Sequence, residues 1–253
     1  MKKKIRSFSL LIIIISFWFI GSKYINPLFL PSPKDIIKTT ITLISNGVLI
    51  QSLISSFLRI SVATIMSVIF SVTLGLIIIN SKHAKEIITP ITNGSRFIPV
   101  TAFYPLLIMW IGIGEDMKIS FLFIATFLYF LPSTVQIFQE VDKGYIEAGQ
   151  TMGMTKFQIT KFIIIPATLP SLLKSFLTMY GIGWTYIVVA ESINVTKGLG
   201  YLINIGSARG RTDMVFVSII FIVVSNFLFD YFGNILIDKK YEWKKAISMK
   251  GGE

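Results

Sequence analysis

Long uninterrupted apolar segments alternate with short polar ones along the 253 residues of this chain. Three uncharged runs are long enough to cross about 30 Å of hydrocarbon at about 1.5 Å per helical residue, and they lie at residues 60–79, 97–114 and 119–138. Three shorter runs need their flanking residues to span, and they lie at residues 7–22, 175–190 and 214–229. The pattern predicts an all-α integral membrane protein with about six transmembrane helices.

The composition agrees with a lipid environment and argues against several kinds of chemistry. Hydrophobic residues make up 53% of the chain and charged residues only 15%. The absence of cysteine excludes disulfides and thiolate metal sites, and a histidine-containing triad would have to use His83 in a polar loop. A membrane enzyme would need clustered carboxylates or histidines, whereas the acidic residues here are scattered singly. We therefore expect no enzymatic activity, no bound metal and no cofactor in this chain.

The basic residues follow a topological pattern rather than forming one face for nucleic acid, although the net charge is +11. If the N-terminus is cytoplasmic, the lysine-rich loops and the C-terminal tail are cytoplasmic as well, and Glu115 and Asp116 lie on the opposite side. This positive-inside bias predicts that both termini are cytoplasmic. The first run continues through Trp18 without a small-residue cleavage site, which indicates an uncleaved span. Trp243 beside the tail lysines is a candidate interfacial anchor.

A helix start follows the first span. Ser32 is a candidate N-cap, Pro33 suits the first helical position, and Asp35 stands three residues after the cap. The amphipathic segment that follows is expected to end at Asn46-Gly47.

Two arginines lie at the mouths of predicted spans. Arg59 begins the second apolar run and Arg96 precedes the third. Such residues either snorkel to the lipid headgroups or pair inside the protein, and we expect both to snorkel.

The largest predicted cytoplasmic loop contains a pattern of two short helices. Asp142 is a candidate N-cap for the first, and Glu147 falls in its early turns, where a carboxylate complements the helix dipole. Gly153 can take the left-handed conformation that ends a helix, and Thr155 begins a capping-box pattern for the second. The second helix is expected to bend at Pro166 into the fifth span. A short helix with small residues and a defined turn is suited to dock into a groove on a cytoplasmic partner.

This loop resembles the EAA loop of ABC importer permeases. The loop of that family reads E-A-A, three residues, G, nine residues, I-x-L-P, and the matching residues here are Glu147, Ala148, Gly149, Gly153, Ile163, Ile165 and Pro166. Gly149 replaces the second alanine and Ile165 replaces the leucine. Residues 30–33, 105–114, 190–191 and 198–202 are similar to the branch of the family that imports nitrate, sulfonates, taurine and related compounds.

The resemblance implies one transmembrane permease domain over residues 1–253, with an N-terminal span at 1–29, a permease core at 30–245 and a cytoplasmic tail at 246–253. It further implies alternating access in the bacterial inner membrane by two permease chains, expected to form a homodimer. The implied partners are ABC ATPase subunits, which bind the ATP, and an extracytoplasmic solute-binding protein. Coupling to the ATPase is expected at Glu147, Ala148, Gly149, Gly153, Ile163 and Pro166.

Three residues of the fifth span and its end are candidates for the translocation path. Tyr180 and Trp184 lie four residues apart on one helical face, where they either line a pore or pack inside the protein. Glu191 either faces the path or pairs with Arg59, Arg209 or Arg211.

The function that accounts for these features is that of a permease subunit in an ATP-driven ABC importer. The subunit would form the path for a small solute, such as a sulfonate, taurine or nitrate, which a binding protein delivers. The alternative is a small ion-coupled secondary transporter, which would need coupling-ion sites near the bilayer midplane and often shows repeat symmetry. The chain shows no internal repeat, and that alternative leaves the docking-shaped loop unexplained.

Overall fold

The computed structural model describes residue 13 and residues 15–242. The N-terminal lysines, the start of the first predicted span, Trp243 and the predicted tail lie outside these residues. The described part is helical and contains no β-strand. Its helices are α1 (15–24), α2 (Pro33–Ser45), α3 (Val48–Asn80), α4 (Lys82–Ser95), α5 (Phe103–Ile111), α6 (Glu115–Gln139), α7 (Lys143–Thr151), α8 (Lys156–Ile159), α9 (Ile165–Ala190), α10 (Leu199–Ala208) and α11 (Thr212–Lys240).

Four helices of the described part are long and apolar enough to cross a membrane. They are α3, α6, α11 and one continuous helix, Lys156–Ala190, that joins α8, a π-helical segment and α9. These four contain the predicted spans at 60–79, 119–138, 175–190 and 214–229, so the prediction of an all-α membrane protein is confirmed. The pair of α4 with the segment Val100–Ile111 is a fifth candidate, bent by 83° at its break.

The third predicted span, 97–114, is wrong as a single straight helix. It contains a 3-10 turn at Val100–Ala102 and the nine-residue α5, preceded by the bend after α4. Pro99 lacks a backbone N–H, and its ring disfavours a helical conformation at Ile98. The chain therefore leaves the helix after Ser95 and turns before it becomes helical again.

His83 lies in a helix rather than in a loop. The Ser81 hydroxyl accepts a hydrogen bond from the Ala84 N–H at 3.3 Å and caps α4, whose first turn holds the exposed His83. Pro90 stands inside this short helix, which is why the pattern of residues did not indicate it.

The predicted start of α2 is confirmed. The Ser32 hydroxyl accepts from the Asp35 N–H, and the Asp35 carboxylate accepts from the Ser32 N–H, which completes a capping box. The helix ends at Ser45 with Asn46 as its C-cap, and Gly47 follows with a left-handed φ of 69°, as predicted for Asn46-Gly47.

One compact unit is built from Met1–Phe57 and Glu191–Val224. In it the Trp18 indole N–H donates to the Pro31 carbonyl at 3.1 Å, and the Trp18 ring stacks on Phe216 with centroids 6.0 Å apart. The Thr39 hydroxyl donates to the Asp213 carboxylate at 2.5 Å and ties α2 to the start of α11. The Thr39 contact holds α2 at a polar group, and Ile36 and Leu43 are the buried apolar residues of this helix.

The second compact unit is built from Leu58–Ala190 and Ser225–Glu253, and α6 forms its centre. The Phe121 ring of α6 meets Tyr104 and Tyr186 edge-on, with centroids 5.2 and 6.0 Å apart. The hydroxyls of Ser133 on α6 and Ser175 on α9 lie 2.8 Å apart and join the two helices.

Arg59 pairs inside this unit, so the snorkelling predicted for it is wrong. Its side chain is only 10% exposed, and its Nε and Nη2 donate to the two Glu115 carboxylate oxygens at 2.6 and 2.8 Å. The Lys118 ammonium donates to the same carboxylate at 3.0 Å. A carboxylate at the start of α6, 56 residues away in sequence, accepts hydrogen bonds from two of the three guanidinium nitrogens. Arg96 is exposed.

A glycine allows close approach of α9 to α3, and its replacement is a test of this packing. A Cβ at Gly183 would lie 2.7 Å from Ile60 Cγ2. We expect Gly183→Ala to destabilise the protein by about 1–3 kcal/mol, the usual cost of overpacking, and to lower the thermal midpoint in detergent.

Gly94→Ala is the matched control, since no atom lies within 4 Å of a Cβ at that helical position. That variant should keep the midpoint or raise it slightly, because alanine favours helix over glycine. Equal midpoints for both variants would contradict the close approach at Gly183.

Candidate coupling site and substrate path

Helix α7 begins as the loop pattern predicts, and Glu147 lies in its second turn. The Asp142 carboxylate accepts a hydrogen bond from the Gly144 N–H at 2.8 Å and caps the helix. The first turn of α7 holds no acidic residue, and Glu147 falls in the second turn with an exposed side chain. Because the dipole effect fades beyond the first turn, the dipole contribution predicted for Glu147 is small at this position. Its carboxylate is instead available at the surface.

A defined turn ends α7. Gly153 has a left-handed φ of 75°, as predicted. The Met154 N–H donates to the Gly149 carbonyl at 3.0 Å, and the Gly153 N–H donates to the Gln150 carbonyl at 2.9 Å. This pair of bonds is a Schellman motif, which satisfies the last carbonyls of the helix and fixes the exit direction of the chain.

The next helix starts at a second capping box and contains a wide turn. The Thr155 hydroxyl accepts from the Gln158 N–H at 3.3 Å, and the Gln158 side chain accepts from the Thr155 N–H at 2.8 Å. The π-helical segment Thr160–Ile164 follows, in which the Ile165 N–H bonds to the Thr160 carbonyl five residues earlier. This wide turn precedes Pro166, which has no N–H and whose ring would crowd the carbonyl four residues back in a regular helix.

The inner face of α7 is packed against the ends of the long helices. Ile146, Met154 and Ile163 pack against a cluster formed by Phe138, Ile159, Ile164 and Leu172. Gly149 is buried on this face, and a Cβ there would lie 2.8 Å from Ile163 Cδ1. The glycine thus leaves room for Ile163, the first apolar residue of the second half of the loop motif.

The outer face of α7 is apolar and uncovered in the single chain. Tyr145 is 57% exposed and Met152 81% exposed, with the exposed Ala148 between them. The three residues are spaced three and four apart, so they share one side of the helix. We call them the docking face. Tyr145 and Met152 had not been singled out from the sequence, although this spacing would have revealed them.

The two aromatic path candidates are buried within the second unit. The Tyr180 hydroxyl lies 2.9 Å from the Ser61 hydroxyl, and the Tyr180 ring stacks on Phe229 with centroids 3.8 Å apart. The Trp184 indole N–H is buried and has no hydrogen-bond partner among the described residues. These contacts describe packing, and a place for either residue on the path stays a prediction.

The Glu191 carboxylate is buried among hydrogen-bond donors in the first unit. Its side chain is 1% exposed and accepts hydrogen bonds from the Ser56 hydroxyl at 2.8 Å and from the Gly200 N–H at 2.8 Å. The Ser56 oxygen in turn accepts from the Leu199 N–H at 2.9 Å. The carboxylate therefore holds the start of α10 against the early part of α3. A path role for Glu191 stays a prediction.

Arg211, one of the cations considered for Glu191, pairs with Asp213 at 2.6 Å. This hydrogen bond raises the pKa of the Arg211 guanidinium above its ordinary value. The pair lies beside Thr39 at the junction of α2 and α11.

Comparison with known proteins identifies the family. Residues 67–240 match the family described as the binding-protein-dependent transport system inner membrane component. The taurine transport system permease protein TauC of Escherichia coli K12 is 30% identical over 228 residues, which cover 88% of this chain and 83% of that protein. The chain belongs to this family. It is a multi-pass inner membrane permease subunit of an ABC importer, not an enzyme, and its family implies ATPase and binding-protein partners.

Two further comparisons agree with this family. The putative aliphatic sulfonates transport permease protein SsuC of Bacillus subtilis is 28% identical, over 92% of this permease and 86% of that protein. A solved inward-facing structure of the MetNI methionine ABC transporter superposes with a TM-score of 0.66 at 19% identity, and the match covers 77% of this permease and 97% of that chain. The superposition shows a shared fold, and the family suggested by the loop motif is confirmed.

The glycine beside Glu191 provides a test of the buried carboxylate site in this permease. Gly198 has φ 147°, and a Cβ there would overlap the Glu191 carboxylate. We expect Gly198→Ala to displace the carboxylate from Ser56 and Gly200 and to lower the thermal midpoint of the purified protein. Each buried hydrogen bond lost in this way costs about 1–3 kcal/mol.

Gly47→Ala is the matched control, because Gly47 also has positive φ but a Cβ there would meet only Gln51, at 3.8 Å. It carries the left-handed penalty of about 1–2 kcal/mol without a clash. If the thermal midpoint falls no further in Gly198→Ala than in Gly47→Ala, the carboxylate site contributes little to the stability of the protein.

Proposed function

We propose that this permease imports taurine or a related small sulfonate, with α7 as the helix that couples the transmembrane path to the ATPase. The observation that carries the coupling proposal is the contrast between the two faces of α7. Its docking face is apolar and exposed, whereas on its inner face Ile146 packs against the buried cluster of Phe138, Ile159, Ile164 and Leu172, and Gly149 lies against Ile163. An exposed apolar helix face is suited to a groove on a partner protein.

The packing of the inner face supports a rigid link between α7 and the spans. Gly149 lies against Ile163, and Ile146 packs against the same buried cluster as Ile163. Ile163 belongs to the same continuous helix as the fifth span. A displacement of α7 by the ATPase would therefore move the start of that helix directly. In this proposal Glu147, Ala148 and Gly153 contribute to the contact and its turn, and Gly149, Ile163 and Pro166 contribute to the link.

A second copy of the chain is part of the proposal. Asp230 lies within the apolar α11 and is exposed in the single chain. A charged residue in a span usually faces a partner helix or an aqueous cavity, because its exposure to lipid is costly. This favours a permease pair around a shared path. The lysine-rich loops support a topology in which α7 and both termini are cytoplasmic.

The cargo proposal rests on the relatives. Proteins named for taurine and aliphatic sulfonate transport resemble this permease over most of its length. Because solute affinity in such importers resides mainly in the separate binding protein, we propose the solute class rather than a single compound.

Co-purification of the ATPase tests the coupling proposal. We expect the ATPase to accompany the tagged wild-type permease from native membranes in mild detergent and to be lost from Gly153→Asp. An aspartate at φ 75° carries a left-handed penalty of about 1–2 kcal/mol and would disturb the turn that ends α7.

Gly47→Asp is the matched control for this experiment. Gly47 has φ 69°, a Cβ there would meet only Gln51, at 3.8 Å, and the residue lies in the turn between α2 and α3. The ATPase should remain bound to this variant. Retention of the ATPase by both variants, with transport and ATP hydrolysis still coupled, would overturn the role of α7.

Uptake measurements test the cargo. Proteoliposomes that contain this permease, its ATPase and its binding protein should accumulate labelled taurine or an alkanesulfonate in an ATP-dependent way. Competition by unlabelled sulfonates, with sulfate and nitrate as controls, measures the selectivity. If the assembly hydrolyses ATP in response to its binding protein but accumulates neither taurine nor the alkanesulfonate, the proposed solute class is wrong. That result would leave the coupling proposal untouched.

A further inference from the structure

An apolar groove of about 530 Å³ lies in the second unit, between the end of α3 and the wide turn that precedes α9. None of the docking-face residues lines it. Its lining consists of Leu76, Ile77, Asn80, Lys156, Phe157, Thr160, Lys161 and Ile165. The volume falls in the range of ordinary ligand sites.

The side chains of Thr160 and Asn80 in the groove bond to each other and to backbone carbonyls, and they leave an apolar floor. The Thr160 hydroxyl lies 3.1 Å from Asn80 Oδ1 and 2.9 Å from the Lys156 carbonyl, and the Asn80 amide donates to the Leu76 carbonyl at 2.8 Å. The remaining surface is formed by Leu76, Ile77 and Ile165. A ligand that fills the groove must therefore be largely hydrocarbon there.

Two cations stand at the rim of this apolar floor. Lys156 and Lys161 are exposed, and within residues 15–242 neither forms an ion pair with a carboxylate. The Lys161 ammonium lies 5.4 Å from the centre of the Phe162 ring. The rim thus offers two positive charges that are free to meet an anion from outside the chain.

The position of the groove specifies the environment of its ligand. It lies where α3 ends and where the continuous helix Lys156–Ala190 begins, and both are long enough to cross the membrane. Phe157 is 73% exposed beside the lysines, and exposed phenylalanine next to basic residues is typical of helices that lie at a membrane surface. The cations are therefore at headgroup level and the apolar floor is at the level of the upper acyl chains.

We propose that this groove binds an anionic phospholipid. The headgroup phosphate lies between Lys156 and Lys161, and one acyl chain lies along Leu76, Ile77 and Ile165. Basic sites between spanning helices suit anionic lipid headgroups, whereas a zwitterionic lipid has no net charge for the lysines and a free phosphate has no chain for the floor.

The site has a consequence for transport, because its walls include the helix that links α7 to the fifth span. A bound lipid would fill the space between α3 and the wide turn and hold the two together. Anionic lipid would thereby stiffen the segment through which α7 acts. This consequence rests on the proposed coupling role, whereas the lipid site itself does not.

Native mass spectrometry of the purified permease–ATPase assembly tests the site. Phosphatidylglycerol and phosphatidylcholine with identical chains are the probes. We expect phosphatidylglycerol to bind the wild type, and to bind Lys156→Gln/Lys161→Gln roughly ten- to thirtyfold more weakly, since each lysine at an anionic headgroup adds to the affinity. The control Lys82→Gln/Lys85→Gln removes two other exposed lysines, at the start of α4, and should bind like the wild type.

A fluorescence measurement in vesicles locates the acyl chain. Phe157→Trp places an indole at the groove, and brominated phosphatidylglycerol should quench its added emission more than brominated phosphatidylcholine at equal mole fraction. The excess should disappear when Lys156→Gln and Lys161→Gln are added to Phe157→Trp. Unchanged quenching in that triple variant would overturn the proposal.

Three other outcomes would also overturn it. Phosphatidylglycerol could bind the double variant as tightly as the wild type. Glycerol 3-phosphate could compete as well as the lipid, which would assign the lysines to a soluble phosphate. The double variant could lose the ATPase while it keeps its lipid, which would assign the groove to a protein interface.

Discussion

The hydrocarbon core of the membrane offers no hydrogen-bond partners, and this constraint orders the interior of the permease. Several serine and threonine hydroxyls in the spans bond to each other or to backbone carbonyls, as in the contacts of Ser67 with Thr126 and of Ser133 with Ser175. Within residues 15–242, the buried hydroxyls of Thr64, Ser71 and Thr134 form no hydrogen bond. Charges follow the same rule. Arg59 is held by Glu115, and the Glu191 carboxylate is held by a hydroxyl and a backbone N–H. The polar groups therefore fix which helices are neighbours, while apolar packing supplies most of the contact area.

Features with local causes could be predicted from the residues. The capping boxes at Ser32 and Thr155 and the left-handed Gly153 depend on residues within one turn of the chain, and all three are confirmed. The partner of Arg59 could not be predicted, because it lies 56 residues away. Nor could the contact of Ser56 with Glu191 across 135 residues. The prediction of a straight third span was wrong for a related reason. Hydropathy shows how apolar a segment is, but it does not show that the chain turns at Pro99.

The coupling loop shows the same division between motif and packing. Its spacing was enough to suggest the family, and the comparisons confirm that family. The fit of Ile163 beside Gly149 depends on side chains that meet only after the turn at Gly153 brings two helices together. Gly149 replaces the second alanine of the family pattern, and this replacement leaves more space for Ile163 at the contact between them. The chain thus keeps the shape of the loop while it alters the residues that fill it.

The wide turn at Thr160–Ile164 also sets the helical phase of the fifth span. A π turn holds one residue more than an α turn, so every later side chain is rotated by about 100° relative to an uninterrupted helix. The direction of Tyr180 and Trp184 is therefore not given by counting residues from the loop motif at 3.6 per turn. In a relative with the same spacing but a regular turn, the equivalent side chains would project from a different side of the helix. Residue numbers alone are thus a poor guide to which side chains correspond in space along this span.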